Sequence, residues 1–127
     1  MYIANPMQPP ADVFMYTLRP ARPEMLIEGP TAEEQALAGR HWMHSQELLR
    51  QGTIIFAGRT LDAGPGTFAM VVVRADSLDS ARAIMDGDPA VREGLFRATL
   101  YGYEPMLIGE WAPGAIAGDH VPGSMPG

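Results

Sequence analysis

Proline limits how this chain can fold more than any other feature, because it lacks a backbone N–H and locks φ, which confines it to the ends of helices and strands. Ten of the twelve prolines lie before Thr31 or after Glu104, and only Pro65 and Pro89 fall between. Regular structure therefore belongs to the middle of the chain. A length of 127 residues matches one domain with a core of its own. Residues 1–12 read as an N-terminal extension and 13–107 as the domain. Residues 108–127, with five glycines and three prolines, read as an irregular tail, able to order against a partner subunit.

Within the domain, Val13–Leu18 is rich in aromatic and aliphatic side chains and is stopped by Pro20, the pattern of a first strand. A loop through Pro23 and Pro30 follows. Thr31 with Glu34 three residues later forms a capping box, and the helical pattern it opens runs to Gln51, with Gly52 as its stop. Thr53–Ala57 and Thr67–Arg74 flank a Gly64-Pro65-Gly66 turn and read as a hairpin-like pair of well-buried strands. Asp76 or Ser77 caps a second helix to Met85, with Leu78, Ala81 and Met85 on one face and Gly87 at its end. Asp88 and Pro89 then read as the cap and first residue of one more helical turn, and Arg97–Tyr103 alternates as a last strand.

This order is β-α-β-β-α-β, the α+β, ferredoxin-like arrangement in which two helices cover one face of a four-stranded antiparallel sheet. The other face is left bare. A domain this small does not tolerate a large exposed apolar surface, so a second copy is expected to cover it, and the chain reads as a homodimer.

Nine basic against fifteen acidic side chains give a net charge of −6, which opposes phosphate backbones and anionic lipid and argues against a nucleic-acid or membrane partner. The longest apolar run, Phe68–Val73, is far short of the roughly 20 residues of a membrane helix. Met1–Pro10 lacks the basic and apolar regions of a signal peptide, so a cytoplasmic location is expected. The absence of cysteine removes thiolate nucleophiles, disulfides and thiolate metal sites.

Histidine is the remaining candidate for chemistry near neutral pH. His41 shares the inward side of the long helix with Leu37, Ser45 and Leu48, while His44 sits nearer the edge of that stripe. An inward histidine is either a structural hydrogen-bonding group or a general acid or base. The pair His41 and His44 has the helical spacing of metal ligands. It lacks a third ligand, since the other histidine, His120, lies in the tail, and no metal is expected. Asp86 and Asp88 are the acidic candidates; a carboxylate before Pro89 can cap a helix with one oxygen and orient an imidazole with the other. Spacing does not choose between the structural and catalytic roles. Arg59, after Gly58, either pairs with an anionic substrate or is a solvated charge. Tyr101 and Tyr103 project to one sheet face, to line a pocket or fill a dimer core.

The stretch from His41 through Gly52 to Ile54-Ile55-Phe56-Ala57-Gly58 places a helix histidine eleven residues before a glycine, ahead of an apolar strand ending in Ala-Gly. Together with Asp88-Pro89-Ala90-Val91 and Gly94-Leu95, this resembles the YCII-related (YciI-like) family from about Val13 to Pro105. The resemblance implies a ferredoxin-like fold that dimerises into an α+β barrel, and an active site in which His41 and Asp88 form a dyad. Some relatives are dehydrochlorinases of chlorinated hydroxyquinones. This chain departs from the family pattern at Arg59, where proline is common, and at Ala38, where arginine is common.

The sequence thus reads as a small cofactor-independent enzyme of lyase, isomerase or hydrolase type. A His41/Asp88 acid-base dyad would act on a small cyclic or aromatic metabolite, with Arg59, His44, Tyr101 and Tyr103 as substrate-binding candidates. The alternative is a noncatalytic ligand-binding or structural dimer in which the two residues share only a buried hydrogen bond.

Overall fold

Thr31 and Glu34 close the capping box from both sides. Thr31 Oγ1 accepts from the Glu34 N–H at 3.1 Å, and the Glu34 carboxylate accepts from the Thr31 N–H at 2.8 Å. The computed structural model describes residues 2–3, 12–62 and 64–109. Its elements run β1 (Tyr2–Ile3), β2 (Val13–Pro20), α1 (Met25–Glu28), α2 (Ala32–Arg50), β3 (Ile54–Arg59) and β4 (Ala69–Arg74). They continue with α3 (Leu78–Gly87), α4 (Pro89–Arg92), β5 (Phe96–Gly102) and β6 (Leu107–Ile108).

The long helix α2 opens at that box and ends where Gly52 adopts φ 79°, a left-handed conformation that costs glycine nothing. Ser77 caps α3 by accepting from the Ser80 N–H at 3.0 Å. Asp88 serves both helices that flank it, as C-cap of α3 and N-cap of α4, with Pro89 as the first helical residue.

The main sheet has the order β3-β4-β2-β5, antiparallel throughout, and is the expected ferredoxin-like arrangement. Alternation along β2 sends Phe14, Tyr16 and Leu18 to the helix side, where they meet Val71, Val73, Ala81 and Met85 in the core. Met15 and Thr17 point the other way. Their cross-strand partners Val72, Met70, Tyr101 and Thr99 share that second face. It also carries Phe56, which pairs with Val72 and is exposed.

Several elements depart from the sequence reading. β3 was expected to be well buried, but it is the edge strand, and only Ile54 is buried. Leu78, expected on the inner face of α3 with Ala81 and Met85, is exposed at the first residue of the helix. The Pro20–Pro30 segment, read as a loop, holds the one-turn helix α1, started by the Leu26 N–H donating to the Pro23 carbonyl at 3.0 Å. Residues 2–3 and 107–108 pair as a separate two-stranded ribbon. That pairing joins the segment read as an extension to the start of the one read as a tail, whose residues 110–127, His120 among them, lie outside the described residues. No helix among the described residues is long and apolar enough to cross a membrane.

Candidate active site

Asp88 is fixed by the backbone before its side chain does anything. Its N–H donates to the Met85 carbonyl at 3.2 Å, and its own carbonyl accepts from Val91 and Arg92 at 3.0 and 2.9 Å. One carboxylate oxygen, Oδ1, accepts from the Ala90 N–H at 2.8 Å as the α4 cap. The other, Oδ2, lies 2.6 Å from Nδ1 of His41, which α2 delivers from its third turn. An ionised carboxylate has no proton to give, so beside it Nδ1 is the donor, and in the neutral imidazole the lone pair then lies on Nε2. The length is that of a charge-assisted hydrogen bond.

Burial is asymmetric. The Asp88 side chain is 3% exposed and that of His41 20%, so the carboxylate is sealed while the imidazole keeps an edge open. The Phe96 ring stands edge-on to the imidazole, with centroids 5.2 Å apart and planes at 82°. Below the pair, burial and, second, the Asp88 charge hold the Tyr16 phenol well above its ordinary value, so Tyr16 remains a neutral O–H. Sequence reading missed both aromatic residues. Phe96 lies two residues before Ala98 on the same strand face, and extending the alternation back by one residue from Arg97 finds it.

The remaining candidates, His44 apart, lie on other parts of the chain. His44 is half-buried and takes no part in the His41–Asp88 hydrogen bond. Arg59 lines a cleft of about 310 Å³ with Gly58, Phe68 and Met70, at the edge strand. Tyr101, 46% exposed, sits opposite Met15 on the sheet face that the helices do not cover, and Tyr103 follows it by two residues. A second cleft, of about 250 Å³, opens between the start of α2 and the Glu93–Leu95 segment, with Arg22, Glu34 and Leu37 on its other walls. Neither cleft is lined by His41 or Asp88. Among the described residues no three His, Cys, Asp or Glu side chains gather as a metal site.

A YCII-related domain model matches residues 13–101. The chain belongs to the YCII-related family. That span starts with the first residue of β2 and ends within β5, so the family domain is the βαββαβ unit that carries His41 and Asp88. Among solved structures, this YCII-related chain is similar to the 5-chloro-2-hydroxyhydroquinone dehydrochlorinase TftG from Burkholderia phenoliruptrix AC1100 in complex with 2,5-dihydroxybenzoquinone. The TM-score is 0.50 at 23% identity, covering 72% of this chain and 93% of that one. That likeness shows a shared fold. No curated protein matches the chain.

Proposed function

We propose that this protein is a small enzyme that moves a proton with the His41–Asp88 dyad, without a cofactor, on a small cyclic or aromatic molecule. The observation that carries the reading is the 2.6 Å contact to a carboxylate whose other oxygen is committed to the Ala90 N–H. In that arrangement Nε2 accepts or returns the substrate proton, and Asp88 holds the tautomer and stabilises the imidazolium that forms. One mobile proton suits elimination, isomerisation or hydrolysis. A dehydrochlorinase of a hydroxylated ring shares the fold, which supports a small ring as the substrate class.

The test is a screen of hydroxylated and enolisable six-membered rings for turnover, or for solvent deuterium entering carbon positions. Activity should disappear in His41→Ala. A rate unchanged by that substitution sinks the acid-base reading.

A second reading has its own support, since neither cleft is lined by the dyad and Asp88 is sealed. Here the pair is a structural hydrogen bond, and His41→Ala lowers the melting temperature while ligand binding survives. The two readings part on turnover.

A homodimer is part of the proposal. Phe56, Met70 and Tyr101 share the uncovered sheet face, and Phe56 and Tyr101 are each 46% exposed. Sedimentation of the full chain at micromolar concentration should give a dimer, and Tyr101→Glu should shift it toward monomer. A wild-type monomer removes this part of the proposal.

A further inference from the structure

None of the four strands of the main sheet contains Asp or Glu, in a chain whose net charge is −6. On the face that the helices leave bare, Arg19 of β2 stands directly opposite Arg97 of β5. Like charges placed across a strand pair work against folding. Both side chains are exposed, and among the described residues neither has an ion pair with a carboxylate. Arg19 leans instead onto a ring, its guanidinium carbon 5.0 Å from the centroid of Phe68. An arginine stacked in this way keeps the N–H groups at its edge for a carboxylate.

Phe68 is also a wall of the cleft of about 310 Å³. The Thr60 N–H donates to the Phe68 carbonyl at 3.0 Å and the Phe68 N–H to Thr60 Oγ1 at 3.2 Å, which carries the β3–β4 ladder one pair beyond Arg59 and Ala69. One step inward Gly58 stands opposite Met70, and a Cβ built on Gly58 meets nothing within 4 Å. The missing side chain is thus what leaves room between Phe68 and Met70, and the cleft wall is almost wholly apolar. A cavity of about 150 Å³ admits benzene, and ligand clefts join apolar walls to a few charged groups. The other charges nearby are accounted for. Arg59 lines the cleft but has its own partner, and Asp62 is an exposed carboxylate of the adjoining hairpin loop. Arg22 draws Glu24, Glu28 and Glu34, while Arg40 and Arg92 face Glu93.

We propose that the cleft over Gly58 binds a small aromatic carboxylate, with the ring between Phe68 and Met70 and the carboxylate on Arg19, beside the charge of Arg97. A bare inorganic anion would leave the apolar walls unused, and an uncharged ring would leave the two arginines facing each other without a counter-charge. The cleft opens on the sheet face opposite the one that carries α2 and Asp88, so the proposal stands whatever His41 does. It lies toward one end of that face, whereas Tyr101 lies toward the other.

Benzoate, benzyl alcohol and benzylammonium are nearly equal in size and differ in charge. Titrated into the full chain, benzoate should move the backbone amide resonances of Gly58, Phe68 and Met70 and bind about fivefold or more tighter than benzylammonium, a gap that added salt narrows. Arg19→Gln should bring benzoate down to the affinity of benzyl alcohol. Gly58→Val places a side chain in open space on a strand backbone without positive φ, so the variant should fold as well as the parent and lose the benzoate shifts. Equal affinity for the three probes, a preference for benzylammonium, no shift at all, or benzoate shifts that survive Gly58→Val each overturn the proposal. So do amides at these three positions that respond to protein dilution and not to benzoate, the result expected if a second copy of the chain fills the cleft.

Discussion

Asp88→Asn is expected to lower turnover by about 10⁴-fold while leaving the melting temperature nearly unchanged. The reason lies in how the two carboxylate oxygens are divided. Oδ1 accepts from the Ala90 N–H, so the amide oxygen must take that place to keep the α4 cap. The amide nitrogen then faces Nδ1 of His41, and being a donor it forces Nδ1 to accept. The ring proton moves to Nε2, the nitrogen that has to receive the substrate proton, and the imidazolium loses its counter-charge. Geometry is preserved and the tautomer is inverted. Asp88→Ala acts differently, because it removes the cap, at about 1 kcal/mol, and leaves a partly buried ring nitrogen without a partner, at about 1–3 kcal/mol. Turnover and thermal melting of both variants decide the matter. A fully active Asp88→Asn protein means that the pair is structural, and the acid-base proposal is dropped.

Much of what sets up this pair is local and therefore legible in the sequence. The capping box at Thr31 and Glu34 fixes where α2 begins, and the start of the helix fixes the face on which His41 lies. Asp88-Pro89 is legible for the same reason: a capping carboxylate and a proline at the first helical position depend only on their neighbours. What brings the two together is not local. His41 and Asp88 are 47 residues apart, and the 2.6 Å contact requires α2 and the α3–α4 junction to pack side by side on one sheet face. The resemblance to YCII-related proteins supplied that pairing, where spacing in this one chain left it open.

The features that escaped sequence reading share a cause, which is that they depend on position within the sheet. Ile55-Phe56-Ala57 is as apolar as Val71-Val72-Val73, and nothing in either run says which strand is central. β4 pairs on both sides, while β3 pairs on one, and so its side chains are exposed. A register shift between Ile54 and Phe56 further breaks the alternation on which a strand-face argument relies. The placement of Tyr101 on the sheet face that the helices leave bare follows from the same topology, and only the strand order and register reveal it.

Leu18→Ala is expected to cost about 3–5 kcal/mol, in the upper part of the range for leucine truncation, and it tests the core on which the site depends. Leu18 is 2% exposed and faces the helices from the central strand β2. Its cross-strand neighbours are Ala69 on β4 and Ala98 on β5. Two small residues flank a large one, so the leucine fills the space above all three strands, and its loss leaves three alanines abreast across the sheet. The cost of a truncation grows with the cavity that cannot collapse, which puts this site above average. Leu18→Met, which conserves volume, should cost less than about 1.5 kcal/mol. Denaturant unfolding measures both. A Leu18→Ala cost near that of the methionine variant would mean that the helices settle onto the sheet to fill the void. In that case the His41–Asp88 contact would move with them, because α2 and the α3–α4 junction sit on the same sheet face. The 2.6 Å geometry is thus supported by packing on β2, the strand whose Tyr16 feels the Asp88 charge, and a loosened core should lower turnover before it unfolds the protein.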